Sequence, residues 1–417
     1  MSLPDALDWV TLGTLAVFAM VYLGMFLGGL PRTGLDRSGV ALLGAIAMIA
    51  VQGWSVAEAA AAIDLPTIVL LFAFMLLSAQ MRLGGFYGAV TLAVGRRAWP
   101  PAALMAALLA LVAVLSAVFS NDVVCLAVTP VVVRIAWRRG WDPVPWLVAV
   151  ACAANIGSAA TLIGNPQNML IGSVLKLPFA AYSAQALPPV LLALAALWLW
   201  MVGVLRRTPP RVAPPVAALD DAPPYDRWQS AKGLLVAAAL LAAFVLTDWP
   251  HEGVALVAAG VLLLSRRLHS VQFMGLVDWP LLLLFMGLFV VNAGLQRTGL
   301  AAQAVDWMGR HGLALHEPLV LAGAGLALSN LVSNVPAVML LLPHVQGTGA
   351  GVTLALASTY AGNLLLVGSI ANLIVADLAA RDGVRLDWRR HAAIGVPATL
   401  LSLLTWALWA AVSGPAA

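Results

Sequence analysis

Long apolar stretches separated by short polar breaks fill almost the whole chain. The stretches 191–205, 233–246 and 254–264 contain no charged residue. A helix needs about 20 consecutive apolar residues to cross the hydrocarbon core of a bilayer, so this density of apolar runs predicts an all-α polytopic membrane protein. The segments that the pattern defines are 9–30, 38–52, 65–82, 101–138, 144–176, 185–205, 232–248, 253–268, 279–296, 316–346, 350–380 and 391–412.

Four of these segments are too long or too interrupted to be straight helices. Gly, Pro, Ser or Asn residues break 101–138, 144–176, 316–346 and 350–380 near their middles. Non-helical backbone at membrane depth is tolerated only where it is buried in protein or lines a cavity. We therefore predict that 101–138 and 316–346 form re-entrant hairpins, whereas 144–176 and 350–380 each cross once with an unwound centre.

Charge placement sets the predicted orientation. Hydrophobic residues make up 62% of the chain and charged residues 10%, against about 25% charged residues in soluble domains. The net charge of +4 is therefore not interpreted as nucleic-acid binding. With an extracytoplasmic N-terminus, all of the 22 basic residues except Lys176, Arg297 and Arg310 face the cytoplasm, as the positive-inside rule requires. We predict a multi-pass inner-membrane protein with both termini extracytoplasmic.

The two halves of the chain resemble each other. LSAVFSNDVVCLAVTP (115–130) matches LALSNLVSNVPAVMLLLP (326–343), and LIGNPQNMLI (162–171) matches LVGSIANLIV (366–375). Each half would hold about five transmembrane helices and one hairpin, and an odd number of crossings inverts the second copy; such repeats, with unwound helices at the midplane, are typical of secondary transporters. The predicted divisions are a first transmembrane repeat (1–207), a cytoplasmic Pro-rich linker (208–231) and a second, inverted repeat (232–417).

Uncharged polar residues gather at the predicted breaks. A broken helix exposes N–H groups on one half and C=O groups on the other, and amide side chains both donate and accept hydrogen bonds. We interpret these residues as a substrate pocket near the midplane; the alternative is that the amides only join helices. The candidate substrate-binding residues are Ser120, Asn121, Asn155, Gly164, Asn165, Gln167, Asn168, Ser333, Asn334, Asn363, Ser369 and Asn372.

Asp122 lies in the middle of an apolar segment, at the predicted tip of the first hairpin. A carboxylate at membrane depth without a nearby cation is costly to ionise, so we predict that Asp122 carries the coupling proton. The alternative is a protonated Asp that only donates a hydrogen bond. Val335 stands at the matching position of the second repeat, which argues against two equivalent sodium sites.

Motifs of enzymes and metal sites are not found in the sequence. It contains no P-loop, nucleophile elbow or dinucleotide-binding fingerprint, which points away from an enzyme and from ATP hydrolysis by this chain. Cys125, Cys152 and the six His have no metal-ligand spacing. We expect no cofactor, and a proton, or alternatively sodium, as the coupling ion. The expected partners are the bilayer and a small oxyacid or anion; an ATPase subunit or a second copy of the chain is left open.

Four stretches resemble the ion transporter superfamily, which includes arsenite efflux pumps, sodium/proton antiporters and dicarboxylate transporters. They are SNDVVCLAVTPVVVRIA (120–136), ANIGSAATLIGNPQNMLIG (154–172), SNVPAVMLLL (333–342) and AGNLLLVGSIANLIV (361–375). The motifs are most similar to plant silicic acid efflux transporters and bacterial arsenite-pump-like relatives. The resemblance implies that substrate binds between hairpin tips and unwound helices, and that export is coupled to proton entry. Dicarboxylate members carry Ser-Asn-Thr at both tips, whereas this chain has Ser-Asn-Asp and Ser-Asn-Val.

The distribution of basic residues also bears on the charge of the substrate. No Lys or Arg lies near the middle of the four broken segments, which favours a neutral, hydroxyl-rich solute, although helix N-termini also bind anions. The sequence thus predicts proton-coupled efflux of a weak oxyacid such as arsenite, antimonite or silicic acid. A dicarboxylate-like anion permease or a sodium/proton antiporter is the alternative, and a channel is the alternative of another class.

The predicted orientation can be tested by labelling. In Ala217→Cys, in the linker, the new thiol should react with a membrane-impermeant maleimide in inverted vesicles and stay unlabelled in intact cells, because the basic residues beside the linker are retained on the cytoplasmic side. Labelling in intact cells would contradict this orientation.

Overall fold

Every regular element in the described part of the chain is helical, apart from one isolated β-bridge between Gly29 and Asp36. The computed structural model describes residues 8–209 and 224–413. The helices of the first half are α1 (Trp9–Leu27), α2 (Arg37–Gln52), α3 (Val56–Ala61), α4 (Leu65–Leu83), α5 (Phe86–Gly95), α6 (Pro101–Val118), α7 (Asn121–Arg138), α8 (Pro143–Ser158), α9 (Pro166–Val174) and α10 (Phe179–Arg207). Those of the second half are α11 (Arg227–Leu246), α12 (His251–Leu263), α13 (Ser270–Met274), α14 (Trp279–Arg297), α15 (Leu300–Arg310), α16 (Pro318–Val332), α17 (Asn334–Leu341), α18 (Gly347–Ala361), α19 (Ile370–Arg381) and α20 (Trp388–Ser413).

The prediction of an all-α polytopic membrane protein is confirmed. Among the described residues, seven helices are long and apolar enough to cross a membrane, namely α1, α4, α6, α10, α11, α14 and α20. The helices α2, α8 and α12 are apolar but shorter, and α8 continues through a break into α9, as predicted for a crossing with an unwound centre.

Both predicted hairpins are helix–break–helix units. The helices α6 and α7 pack against each other, as do α16 and α17. Phe119 and Ser120 separate the first pair, and Ser333 alone separates the second. Ser333 has φ 79° and ψ 158°, a conformation in which a residue with a Cβ atom is strained by about 1–3 kcal/mol, whereas Ser120 has φ −56°. The two hairpin tips therefore differ in backbone geometry.

The structure also reveals elements that the hydrophobic pattern did not predict. The short helices α5 and α15 begin after Gly85 and Gly299, whose φ values of 69° and 71° suit glycine. Helix α11 begins at Arg227, before the predicted start near 232, because Asp226 accepts hydrogen bonds from the N–H groups of Trp228 and Gln229. The linker residues 210–223 lie outside the described part of the chain.

The broken helices form the centre of the molecule. Every residue of α8 is buried, and so is α18 from Gly351 to Ala361. Small residues allow this density: a Cβ atom on Gly157 would lie 2.3 Å from Ala113 Cα, so α8 and α6 are packed backbone to backbone. The first unwound centre is thus surrounded by protein, the condition under which a membrane protein tolerates it, whereas Leu365 and Val367 of the second are exposed.

Gly164 and Gly368 hold equivalent places in the two breaks and provide a matched test. A Cβ atom on Gly164 would lie 2.2 Å from Ser158 O and 2.7 Å from Ser116 O, so Gly164→Ala requires the backbone to move. We expect it to lower the stability by about 3 kcal/mol. In Gly368→Ala the nearest atom, Gly362 O, is 3.3 Å away, and the loss should be about 1 kcal/mol. Thermal unfolding in detergent measures both; equal losses would contradict the role given to the first break.

Candidate substrate site at the broken helices

A chain of hydrogen bonds joins the two repeats at the breaks. Asn121 Nδ2, on the first hairpin, donates to Asn155 Oδ1 at 3.1 Å, and Asn155 Nδ2 donates to Asn363 Oδ1 at 2.8 Å. Ser369 Oγ donates to the same Asn155 oxygen at 3.2 Å. All four side chains are buried. Asn155 therefore links the hairpin of one repeat to the broken helix of the other.

The tip of the first hairpin is fastened directly to the first break. The Asn121 N–H group donates to Gly164 O at 3.2 Å. This contact requires a close backbone approach, which the missing side chain of Gly164 permits. Ser120, half-buried, stands at the start of α7 and makes no side-chain capping bond.

A second polar cluster lies on the first break and reaches across to α18. Asn165 Nδ2 donates to Ser158 Oγ at 2.8 Å and to Thr359 Oγ1 at 3.3 Å, and Gln167 Nε2 donates to Thr359 Oγ1 at 3.2 Å. Asn165 Oδ1 accepts from the Asn168 N–H group at 2.9 Å and so caps α9. Thr359 was not predicted; its position one helical turn before Asn363 was the available signal.

Asn168 and Asn372 make the same bonds in the two repeats, and those bonds are structural. A helix that ends inside the protein leaves carbonyl groups without partners, and each of these amide groups donates to two of them. The bonds run from Asn168 Nδ2 to Ser158 O and Thr161 O (3.3 and 2.9 Å), and from Asn372 Nδ2 to Gly362 O and Leu365 O (2.7 and 3.1 Å). The amide nitrogens of Asn168 and Asn372 therefore stabilise the non-helical backbone of the two breaks.

The opposite sides of these amides have no partner in the described part of the chain. Buried oxygens without a hydrogen bond occur in two matched pairs: Oδ1 of Asn168 and Asn372 on the broken helices, and Oδ1 of Asn121 and Asn334 on the hairpins. A buried acceptor without a donor costs about 1–3 kcal/mol. Asn334 belongs to the same region, because a Cβ atom on Gly362 would lie 3.2 Å from its Nδ2 atom. Asn330 Oδ1, near Gly368, is a further unpaired acceptor, and Asn363 Nδ2 is an unpaired donor in the same network. Unpaired acceptors therefore outnumber unpaired donors among the amides of this region.

Asp122 follows Asn121 in the first turn of α7 and is half-buried. It makes no hydrogen bond and no ion pair with the described residues. Asp278, at the start of α14, is close enough to act on it electrostatically. The carboxyl group thus lies beside the amide network, and no Lys or Arg in the described part of the chain forms an ion pair with it.

Two further side chains support the network and were not predicted. His391, at the start of α20, is buried, and its Nε2 atom lies 3.0 Å from Asn363 O; because a carbonyl only accepts, this nitrogen carries the proton. Tyr182 in α10 accepts from Asn168 Nδ2 at 3.0 Å and donates to Ala159 O at 2.9 Å. Both lie far from the motifs in sequence, so no local pattern could have marked them.

A cavity of about 640 Å³ adjoins the first break. Leu162 and Ile163 of the break line one end, and residues 244–252 of α11, α12 and their loop line another. Lys176 also borders it. This cavity lies on the side of Lys176 and the loop after α11, which is predicted to be extracytoplasmic.

No group of three or more His, Cys, Asp or Glu residues in the described part of the chain is arranged to hold a metal ion. Cys125 and Cys152 are buried free thiols. The hydrogen-bonded side chains of the site are amides, hydroxyls and one imidazole, with no Lys or Arg among them. The site is therefore built from neutral groups around a single adjacent carboxyl.

Comparison with known proteins identifies the family of this chain. A family model described as CitMHS, citrate transporter, matches residues 15–361. The chain belongs to the citrate transporter family. This family is part of the ion transporter superfamily, so the resemblance inferred from the motifs is confirmed.

Relatives of the chain are named transporters or membrane proteins. An uncharacterized transporter of Mycobacterium tuberculosis (strain ATCC 25618 / H37Rv) is 31% identical over 371 residues, covering 84% of this chain and 86% of the relative. A silicon efflux transporter of Oryza sativa subsp. japonica is 28% identical over 472 residues, covering 95% and 96%. An inner membrane protein of Escherichia coli (strain K12) is 34% identical over 360 residues, covering 85% and 87%. The chain is thus a multi-pass membrane transporter.

The fold of this citrate transporter family member also matches a solved structure. A crystal structure of the Alcanivorax borkumensis YdaH transporter, described as having an unusual topology, superposes with a TM-score of 0.60 at 15% identity. The match covers 98% of this chain and 99% of the other. At this identity the likeness concerns the fold alone.

The two kinds of asparagine in the site should respond differently to substitution. Asn168→Leu removes donors from buried carbonyls of the break and should lower the stability by on the order of 3 kcal/mol or more. Asn334→Ala removes a side chain whose oxygen is buried without a hydrogen bond among the described residues, so it should not lower the stability, and it should weaken substrate binding by about fivefold. Thermal unfolding and equilibrium binding in detergent distinguish the two; if Asn334→Ala unfolds as readily as Asn168→Leu, the separation of roles is wrong.

Proposed function

We propose that this transporter exports a small, weak, hydroxyl-rich oxyacid, such as arsenite, antimonite or silicic acid, in exchange for protons. The observation that carries the proposal is the pair of matched amide oxygens in each repeat, on Asn121, Asn168, Asn334 and Asn372. These acceptors outnumber the unpaired amide donor, Asn363 Nδ2, and so call for a ligand that mainly donates. Arsenous and silicic acids present only hydroxyl groups and are essentially neutral near pH 7.

The neutrality of the surrounding side chains supports the same conclusion. An anionic substrate presents acceptors, which would face the amide oxygens without forming hydrogen bonds. No Lys or Arg contributes to the hydrogen-bonded network. A neutral polyhydroxy solute avoids both difficulties, and its size suits a region where the hairpin tip and the break are in direct contact.

The names of two relatives support export of such solutes. The Oryza sativa relative is a silicon efflux transporter and spans nearly the whole chain. A Dictyostelium discoideum relative, 24% identical over 487 residues, is described as the putative transporter arsB.

An anion such as citrate is the second candidate, and the description of the family favours it. The starts of α9 and α19 face the breaks with Asn165 and Ser369 as their capping residues. Helix N-termini present N–H groups that bind carboxylates. A citrate-like substrate would therefore contact the N–H groups of these helices rather than the amide oxygens.

A substrate panel separates these possibilities. Proteoliposomes with an imposed pH gradient are assayed for accumulation of arsenite, antimonite, silicic and germanic acids, citrate and succinate, with and without sodium. We expect accumulation of the hydroxylated acids, lost when the gradient is collapsed and unchanged without sodium. Transport of citrate alone supports the second candidate. Flux that never exceeds equilibration, whatever the gradient, identifies a channel.

Proton coupling is assigned to Asp122 in this proposal. An ionised Asp122 would be stabilised by the N–H groups at the start of α7, and its protonated form would be compatible with the apolar surroundings when the site reorients. Its position next to Asn121 makes the proton and the substrate compete for one region. Reorientation with either one bound, but not with neither, gives obligatory exchange.

Asp122→Asn should abolish proton-driven export. The amide reproduces the shape and charge of the protonated carboxyl, so folding and passive substrate exchange should remain while accumulation falls to background. Substrate-induced proton flux is compared between the wild type and the variant at equal reconstitution. If Asp122→Asn still concentrates substrate by using the pH gradient, the carrier is another group.

A further inference from the structure

We propose that Asp278 and Asp377 form a proton-binding site that exists only in the opposite conformation of the transporter, in which α19 packs against the start of α14. The inference rests on the alternating access that the proposed function requires, and its test needs no knowledge of the substrate.

Asp64 joins the first broken helix to α4. Its Oδ1 atom caps α4 by accepting from the Thr67 N–H group at 2.8 Å, and it also accepts from Ser173 Oγ at 2.8 Å. Ser173 lies near the end of α9, which packs against α4. This pair is a latch between the broken helix and its neighbour, and we call it the first latch.

The second repeat contains the equivalent positions. Asp278 caps α14 as Asp64 caps α4, and each aspartate is followed two residues later by a proline. Asn372 corresponds to Asn168 because both make the same pair of bonds to the break. The residue that lies as far beyond Asn372 as Ser173 lies beyond Asn168 is Asp377. A serine–aspartate pair in one repeat is therefore an aspartate–aspartate pair in the other.

The second latch is open in this conformation. Asp278 accepts one hydrogen bond in the described part of the chain, from the Leu281 N–H group at 3.0 Å. Asp377 is exposed and paired with Arg381 on its own helix at 2.6 Å. Among the described helices, α19 makes no packing contact with α14 like that of α9 with α4. The two repeats are thus in different arrangements at equivalent places.

Alternating access in an inverted-repeat transporter moves one bundle against the other around a fixed site. When the second repeat takes the arrangement now seen in the first, Asp377 approaches Asp278 as Ser173 approaches Asp64. Two carboxyl groups at hydrogen-bond distance do not both ionise; one keeps a proton and donates to the other. Closing the second latch therefore takes up one proton, and low pH on that face favours the closed form.

In this proposal Asp377 leaves its exposed ion pair with Arg381 when the latch closes, and the other charges near the pair do not replace the proton. The charged residues on elements packed against α19 or near the start of α14 are Arg37, Arg82, Asp122, Arg134 and Arg138. None forms an ion pair with Asp278 or Asp377 among the described residues. Asp122 lies at the start of α7, which packs against α19, and a further negative charge in this region favours a protonated pair.

The latch proton differs in role from the proton assigned to Asp122. It is taken from one face when the latch closes and returned to the same face when the latch opens, so it adds nothing to the transport stoichiometry. It makes the balance between the two conformations depend on the pH of that face. The first latch, with a serine in place of one carboxyl group, gives the other face no such dependence.

Cysteine labelling tests the proposal without substrate. Leu373→Cys, on α19 one turn before Asp377 and partly exposed, serves as the reporter in a background with Cys125→Ala and Cys152→Ala. Labelling from the predicted cytoplasmic face is measured across a range of pH with and without Asp377→Ser, so that the titration of the thiol itself cancels in the ratio. We expect protection to increase as the pH falls, by up to about tenfold per pH unit, only where Asp377 is present.

Two further variants sharpen the result. Asp377→Asn supplies the donor without a proton and should protect the reporter at every pH. Asp278→Cys with Asp377→Cys should cross-link in the conformation in which the reporter is protected, whereas Asp64→Cys with Ser173→Cys should cross-link in the conformation described here. Identical pH profiles with and without Asp377→Ser, or cross-linking of the Asp64/Ser173 pair but never of the Asp278/Asp377 pair, would overturn the proposal while leaving the proposed substrate untouched.

Discussion

The need to satisfy broken backbone at membrane depth governs this structure. Each unwound centre leaves carbonyl groups that lipid cannot serve, and one asparagine in each repeat donates to two of them. Those bonds hold only if the break is enclosed, so α8 is buried along its whole length and Gly164 admits backbone where no side chain fits. The fold can be understood as protein assembled around two breaks, with the outer helices as its boundary with lipid.

This constraint also explains how structural residues come to line a candidate site. An amide that uses its nitrogen on the break must direct its oxygen elsewhere, and in both repeats that oxygen is buried without a partner. The same geometry in two copies gives acceptors related by the internal symmetry. The sequence allows two interpretations of these asparagines, a substrate pocket or contacts between helices. In the structure the amide nitrogen makes the structural contacts, and the amide oxygen is the end that remains available to a ligand.

Much of the fold was predictable because its signals are local. Apolar runs give the spans, and interruptions such as Gly164-Asn165-Pro166 give the breaks. The partners of the asparagines were not predictable: Thr359, Tyr182 and His391 lie on other helices, and only packing brings them to the network. The short helices α5 and α15 were missed because they are brief and start at glycines with positive φ, a conformation that sequence marks only as a turn. Whether an amide nitrogen faces a carbonyl or a ligand is likewise set in three dimensions.

The repeats are alike in scaffold and unlike in chemistry, and the difference has a physical reason. A perfectly symmetric transporter would respond to the two faces of the membrane in the same way, so any directional dependence on protons must come from residues that differ between the halves. Asp122 in the first repeat corresponds to the apolar Val335 in the second, and Asp377 corresponds to Ser173. Ser333 has a strained backbone, whereas the corresponding Ser120 does not. These substitutions occur at hairpin tips and at the ends of broken helices, the parts that move relative to their neighbours in alternating access. Family membership accounts for the scaffold that these positions share, and in the proposed mechanism Asp122 and Asp377 would make the two faces respond differently to protons.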